Sequence, residues 1–202
     1  MKKLMLAVIA VAVMSTASFA GFGAAVKLGA GENDPKSLKD LNVGGTDLTE
    51  GYGIFSLEGL YEMPFDAADE ANKIGAKIGF DFYGENELKI NATNAKITED
   101  TYAFPITVYY KRDNGVKNIS FWAGPGVTFM RTELEASGIP GVDKEHKNKT
   151  FFHIAGGAEY RFTELFALGL DLRYNFSAKV KKDGYVTDRS GFGGAVAARF
   201  YF

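Results

Sequence analysis

Two imidazoles, His146 and His153, are the only candidate bases or nitrogen ligands of their kind in the chain, and there is no cysteine thiol. His146 stands in Lys144-Glu145-His146-Lys147, a charged stretch in which an imidazole reads as solvated. His153 sits on the polar parity of an alternating segment, with Ala155 rather than a serine two residues on. A serine nucleophile needs a base within hydrogen-bond reach, and no such pair is legible. Zinc needs clustered nitrogen or sulfur ligands, which are also missing. The acids Asp47 and Glu99-Asp100 read as solvated loop, weak calcium ligands at most. The expectation is therefore a non-enzyme with no catalytic residue, no metal and no cofactor.

Charge on alternating positions is abundant. Lys27, Lys73, Lys77, Lys111, Arg161, Arg173 and Arg199 share the polar parity of their segments with Glu58, Glu62, Asp81, Glu159 and Asp171. The chemistry such residues offer is ion pairing. If their faces converge on one interior, they form a hydrogen-bonded plug. A conduction or binding path is the alternative.

The elements that would bring them together have period two. Apolar and polar residues alternate over Gly21–Ala30, Tyr52–Met63, Lys73–Tyr83 and Tyr102–Lys111, and again over Ile119–Met130, Thr150–Phe162, Phe166–Phe176 and Gly191–Phe202. Successive side chains of a strand point to opposite faces, so strict alternation reads as strand. Each segment has about the 10 residues that a tilted membrane strand requires. Long polar links follow the odd strands (Glu32–Gly51, Gly84–Asp100, Thr132–Lys149, Ser177–Ser190) and shorter ones follow the even strands (Pro64–Asn72, Arg112–Asn118, Thr163–Leu165). Short turns at one end and long loops at the other are the asymmetry of outer-membrane barrels, with the short side periplasmic.

The start of the chain agrees with that topology. Met1-Lys2-Lys3 precedes the apolar run Leu4–Met14 and the small and polar residues up to Ala20. This pattern reads as a secretory signal peptide over 1–20, cleaved between Ala20 and Gly21. A barrel over 21–202 is expected to follow, with both termini periplasmic. A formal net charge of −2 gives no reason to expect nucleic acid.

A soluble sandwich would also alternate, but it has no reason to sort its aromatics. Here Phe22, Tyr61, Tyr110, Tyr160, Phe162, Phe166, Phe200 and Phe202 gather at one set of strand ends. Phe55, Phe82, Phe104, Phe129, Phe152, Tyr174, Phe176 and Phe192 gather at the other. Aliphatics such as Val26, Leu57, Ile78, Ile106, Leu170 and Val196 lie between them. Two aromatic girdles around an aliphatic band match the two membrane interfaces. Lipid cannot satisfy open backbone groups, so the sheet must close. The fold expected is an all-β, eight-stranded antiparallel up-and-down transmembrane barrel.

The last residues, Gly194, Val196, Ala198, Phe200 and Phe202, resemble the recognition strand that the barrel assembly machinery reads in outer-membrane proteins, with Phe200 and Phe202 as its signal. Gly156-Gly157-Ala158-Glu159-Tyr160-Arg161-Phe162 and Ala167-Leu168-Gly169-Leu170-Asp171-Leu172-Arg173-Tyr174 extend the likeness. The stretch 21–202 resembles the outer-membrane β-barrel domain family of OmpA-like and OmpX-like small barrels. No peptidoglycan-binding domain follows the barrel as it does in full-length OmpA proteins, so a tethering role is not implied. The resemblance implies outer-membrane lipid and lipopolysaccharide as surroundings, the assembly machinery as a partner in biogenesis, and a monomer. Some such barrels are lipid-modifying enzymes, but Ala155 replaces the serine that the lipid A deacylase pattern would place after His153.

Pro105 and Pro125 fall inside expected strands, although proline cannot donate to a ladder. With a turn near Asn114-Gly115, the two should lie almost opposite each other. A bulge is one reading. A weakened lateral seam between lumen and bilayer, lined by Tyr109, Trp122 and Met130, is the other. The role expected is structural or surface interaction, with transport through a narrow pore or a lateral route as the alternative.

Overall fold

A computed structural model of the chain describes residues 21–32, 51–66, 69–84, 86–90, 95–114, 118–137, 145–182 and 185–202. The expected signal peptide with Ala20, the acid Asp47 and most of the first long link lie outside these residues. Eleven strands are present among them: β1 Phe22–Glu32, β2 Gly51–Asp66, β3 Asp69–Tyr83, β4 Asn86–Ile90, β5 Ala95–Asp113, β6 Ile119–Ser137, β7 Glu145–Arg161, β8 Phe166–Asn175, β9 Lys179–Lys182, β10 Tyr185–Asp188 and β11 Gly191–Tyr201.

Eight of them close a barrel in the order β1-β2-β3-β5-β6-β7-β8-β11, with β11 returning to β1. Every neighbouring pair is antiparallel, from Phe22↔Tyr61 across β1–β2 to Gly23↔Tyr201 at the closure. The remaining short strands decorate the rim. β4 pairs along β5 beyond the reach of β3, and β9 pairs with β10 as a separate hairpin.

Strand parity decides which side chains face in. On β8, Ala167, Asp171 and Asn175 are buried while Leu168, Leu170, Leu172 and Tyr174 are exposed. The same alternation on β5 buries Tyr109 and Lys111 and exposes Phe104, Ile106, Val108 and Tyr110. The large apolar residues thus lie outside and the charges inside, an inversion of a soluble core. It is stable only if the outer medium is apolar.

The outer aromatics form two belts. At the end that carries Phe22 and Phe202, here the terminal end, Phe162 and Phe200 both contact Phe166, and Phe22 contacts Tyr61. At the opposite, far end, Phe55–Phe82, Phe80–Phe104 and Tyr174–Phe192 make the second belt.

Several strands run further than the alternation alone suggested. Pro64 continues β2 and pairs with Lys73, so most of the expected link Pro64–Asn72 is strand, with a register irregularity between Pro64 and Asp66. At the far end β5, β6 and β7 rise above the barrel, with pairing as far as Lys96↔Ser137 and Leu134↔Glu145. Together with β4 they form a projecting four-stranded sheet. Outside the membrane both faces of a strand can be polar, so the apolar alternation that marks a membrane strand fades there although the hydrogen-bond ladder continues.

Candidate functional site

The barrel interior is where the charged residues meet. At its terminal end Lys111 of β5 is buried and its Nζ reaches three strands. It donates to Glu62 Oε1 of β2 at 3.0 Å, to Glu159 Oε1 of β7 at 2.5 Å and to Tyr201 OH of β11 at 3.1 Å. Tyr109 donates to Glu62 at 2.8 Å, and Tyr201 donates to Glu159 Oε2 at 2.7 Å. Two carboxylates, two phenols and one ammonium therefore form a floor across the lumen. Below it opens a mouth cavity of about 410 Å³, lined among others by Lys73, Glu62, Arg161 and Tyr201. Arg161 lies 4.2 Å over the Tyr201 ring and 3.6 Å from Glu159, whereas Lys73 makes no described ion pair and faces this mouth.

The middle layer is denser in charge. Lys27 pairs with Glu58 at 2.7 Å and approaches Asp171 at 3.6 Å. Arg199 donates to Asp171 at 2.5 Å and lies 3.7 Å from Glu159. Lys77 sits 3.8 Å from Glu58, and its Nζ lies 3.4 Å from the centre of the Trp122 ring. Small residues make room for these groups. A Cβ at Gly169 would run into the Arg199 guanidinium, and one at Gly75 would strike the Tyr109 ring. Above this layer Arg173 of β8 spans the lumen to Asp81 of β3 at 2.7 Å and to Tyr83 OH at 3.2 Å.

Between these layers lies a cavity of about 50 Å³, lined among others by Lys27, Glu58, Lys77, Asp81 and Trp122. Lys77 Nζ, Glu58 Oε1, Asp81 Oδ1 and Trp122 Nε1 are buried there without a hydrogen-bond partner among the described residues. Such a space takes a few waters, which buried polar groups of this kind require.

At the far end Arg189 closes the lumen. Its Nη2 donates to Glu99 Oε1 at 2.6 Å and to Thr101 Oγ1 at 3.1 Å, and its guanidinium lies 4.6 Å from the Tyr83 ring centre. Glu99 is therefore not the solvated loop acid that its neighbours in sequence suggested. It is buried in β5, the strand directly across the barrel from β11. Asp188 beside it pairs with Lys179 at 3.0 Å. Desolvation pushes the Asp188 carboxyl up, but hydrogen bonds from Ser190 and Lys179 outweigh that and hold it below its ordinary value.

His153 is a pin in the wall. Its two ring nitrogens lie 2.9 Å from the hydroxyls of Thr107 on β5 and Thr128 on β6, so it stitches three adjacent strands. His146, by contrast, is exposed on the projecting sheet, 3.1 Å from Glu133. Nothing in the sequence pointed to Arg189, because it lies after β10 in a segment without alternation. Tyr52, Tyr83 and Tyr201 could have been found, since each holds the inward parity of its strand.

Pro105 and Pro125 do not lie opposite each other. The β5–β6 register is centred near residues 116–117, two positions beyond the Asn114-Gly115 signal, and it sets Pro105 against Thr128. Pro105 faces inward and lines the small cavity, while Pro125 is exposed on the outer surface. Each proline coincides with a gap in a different ladder. The β3–β5 pairing is missing between Ile78↔Ile106 and Asp81↔Ala103, and the β5–β6 pairing between Thr107↔Gly126 and Tyr110↔Ala123.

The last strand completes the closure. Phe200 faces outward against Phe166, with ring centres 5.3 Å apart, and the Phe202 amide donates to Phe22 O at 2.9 Å. Gly21 takes a positive φ of 100° where its carbonyl accepts from the Glu62 amide. A closed eight-stranded sheet with an apolar outer band, two aromatic belts and a charged interior is an outer-membrane architecture, and a model of the outer membrane protein beta-barrel domain matches residues 4–200. The chain belongs to this family.

Solved barrels of the outer membrane superpose along nearly their full length. Ail, the attachment invasion locus protein of Yersinia pestis, matches with a TM-score of 0.54 at 12% identity, covering 91% of this chain and 99% of that one. Neisserial surface protein A gives a TM-score of 0.54 at 13% identity, with 91% and 98% covered. A major outer membrane protein from Thermus thermophilus gives 0.53 at 12% identity, with 90% and 99% covered. At these identities the likeness is one of fold. No curated protein matches the chain significantly by sequence. Membership of the outer membrane protein beta-barrel domain family places the protein in the bacterial outer membrane, with the exposed apolar band against lipid.

Proposed function

We propose that this protein is a closed, non-enzymatic outer-membrane barrel, plugged by its own side chains, that acts through the polar strands and loops projecting from its far end. The observation that carries this reading is the neutral filling of the interior. Above the terminal mouth, where Lys73 and Arg161 stand, Lys27, Lys77, Lys111, Arg173, Arg189 and Arg199 are matched by Glu58, Glu62, Asp81, Glu99, Glu159 and Asp171, six against six among the described residues. The cavity described among them has a volume of about 50 Å³. An eight-stranded barrel has an interior just wide enough for side chains to fill, and here they do so with charges that balance over the layers taken together. His153, hydrogen-bonded on both ring nitrogens, reads as a structural pin rather than a base.

The orientation follows from export. Residues 1–20 act as a cleaved signal peptide in this reading, so Gly21 starts in the periplasm and the terminal end faces inward. Phe200 and Phe202 serve the assembly machinery, lipid and lipopolysaccharide surround a monomeric barrel, and the β4–β7 sheet faces the environment.

Conductance of the refolded protein in a planar lipid bilayer tests the closed interior. The expected result is a silent bilayer. Steady, reproducible steps that change in size when Lys77, Glu58 or Asp171 is neutralised would overturn it.

A lateral transport route is the second reading, favoured by the ladder gaps on either side of β5 at Pro105 and Pro125. The His153–Thr107–Thr128 stitch works against opening there. If the route exists, replacing both prolines by valine abolishes uptake of small apolar compounds. Unchanged uptake in that variant removes the reading.

A further inference from the structure

The layers that close the lumen differ in how they are held. The floor and the middle layer are built from side chains of strands that are paired on both edges, so they cannot leave without unzipping the barrel. The far-end closure comes instead from residues 177–182 and 185–190, between β8, which ends at Asn175, and β11, which starts at Gly191. Most of the described bonds in this segment are internal. Ala178 N donates to Ser190 Oγ at 2.8 Å, Arg189 N donates to Ala178 O at 3.1 Å, and Lys179 pairs with Asp188.

Its attachments to the barrel are fewer. Asn175 donates to Arg189 O at 3.3 Å, and Ala178 and Val180 pack into an apolar cluster with Tyr52, Tyr83, Met130 and Phe151. The other attachment is Arg189 itself. It crosses to Glu99 on β5, four strands from β11 in either direction around the barrel. It lies between two tyrosines, with its guanidinium 5.0 Å from the Tyr52 ring and 4.6 Å from that of Tyr83.

We propose that the β9–β10 segment is a lid latched to the opposite wall by Arg189 and Glu99, and that it closes a blind, outward-facing chamber whose base is the Lys111 floor. This inference rests on the closed-interior reading for its base and its orientation. The chamber is the small cavity lined by Tyr52 and Asn175, the two residues through which Arg189 borders it, and there Lys77 Nζ, Glu58 Oε1 and Asp81 Oδ1 lack hydrogen-bond partners among the described residues. Opening the lid gives up the Arg189–Glu99 ion pair, the Arg189 contacts with Thr101, Tyr52 and Tyr83, the Asn175 bond and one apolar cluster, but it hydrates these buried groups. The two states are thereby brought closer in free energy than a fully satisfied plug would allow. The chamber walls carry Lys27, Lys77 and Arg173 against Glu58, Asp81 and Asp171. That balance leaves the chamber wall without net charge, so it excludes neither sign of small ion.

The absence of native cysteine makes the test direct. Ser56 is buried and lines the chamber, so Ser56→Cys places a single thiol below the latch. The protein is reconstituted in lipid vesicles, and a membrane-impermeant sulfonatoethyl methanethiosulfonate is added on the far side. With Arg189 intact the thiol labels slowly. With Arg189→Ala added, labelling accelerates by roughly tenfold or more, as local opening exposes a protected site. Glu99→Gln weakens the same latch while leaving the arginine stem in place, and it is read if Arg189→Ala does not fold. Heat-modifiable gel migration verifies folding of each variant.

Equal labelling with and without the latch, or fast labelling with Arg189 intact, overturns the lid. Bilayer conductance separates this result from the reading beneath it. A faster-labelling Arg189→Ala barrel that stays silent supports both. One that labels faster and also conducts retains the lid but shows that the Lys111 floor does not seal.

Discussion

Lys111 is the residue on which the floor depends, because one buried ammonium answers both Glu62 and Glu159. Removing one partner of a buried ionic cluster leaves the others uncompensated, which costs far more than the net worth of the pair. Lys111→Met should therefore lower the stability of the folded barrel by about 3–5 kcal/mol, read by urea unfolding in lipid vesicles. Adding Glu62→Gln and Glu159→Gln should recover part of the loss. If the triple variant is no better than the single one, lost packing rather than stranded charge is the cause. His153 and Gly126 offer a second test, this time of fit. A Cβ on Gly126 would collide with the imidazole that bridges Thr107 and Thr128. Gly126→Ala should destabilise by about 1–3 kcal/mol, the range for overpacking a filled site. In the His153→Ala background the same change should cost less, because the imidazole has gone and the Ile106 carbonyl alone still crowds the new Cβ. Additive losses in this double-mutant cycle would show that the two positions do not share the space.

At the scale of strands, β8 carries the clearest alternation and makes the clearest prediction. Leu170 is 63% exposed at the middle of the outer band, between the two aromatic belts. Leu170→Arg should cost about 2–4 kcal/mol, the depth-dependent penalty for a cation at the bilayer midplane. The same substitution at Leu165, at the terminal rim, should cost little by the same measurement. Equal effects would place the membrane elsewhere. The regular repeat that makes Leu170 predictable also made the barrel readable from sequence, since lipid outside and charge inside impose one period on all eight strands. Strand pairing from Phe22↔Tyr61 to Phe200↔Phe166 follows that pattern. Readability ends where the lipid ends. The run Thr98-Glu99-Asp100-Thr101 has no apolar alternation to mark it, so Glu99 looked like loop although it is buried in β5 and paired with Arg189. The turn between β5 and β6 shows the other gap. An Asn-Gly signal indicates that the chain reverses, but the centre of reversal lies two residues on, and that shift separated two prolines expected side by side. Inward charges could be identified by parity, as for Lys27 and Asp171, but the choice of partners depends on shear around the barrel, which no single strand encodes.

For the whole molecule, how far the interior is closed to bulk water decides how the barrel responds to its surroundings. Salt screens ion pairs that face water within about 8–10 Å at physiological strength, but it reaches buried pairs far less. Lys111, Arg189 and Arg199 are each at most 1% exposed, and their carboxylate partners are nearly as deep. If the plug is dry, raising sodium chloride from low salt to about 1 M should leave the urea midpoint of unfolding almost unchanged, since the screening length shrinks only in the water outside. Sodium sulfate at matched ionic strength is the control for general salt effects, because it strengthens burial by exclusion from the surface. A wet pore lined by the same charges would respond in the opposite way, with its pairs weakened by chloride salt and the midpoint lowered. The six cations and six carboxylates of the interior make this contrast large, because every layer from the Lys111 floor to the Arg189 latch would be screened at once. A fall in midpoint that appears or deepens in Arg189→Ala would locate the water above the floor, in the chamber that the lid covers. One of equal size with and without Arg189 would put water through the whole lumen.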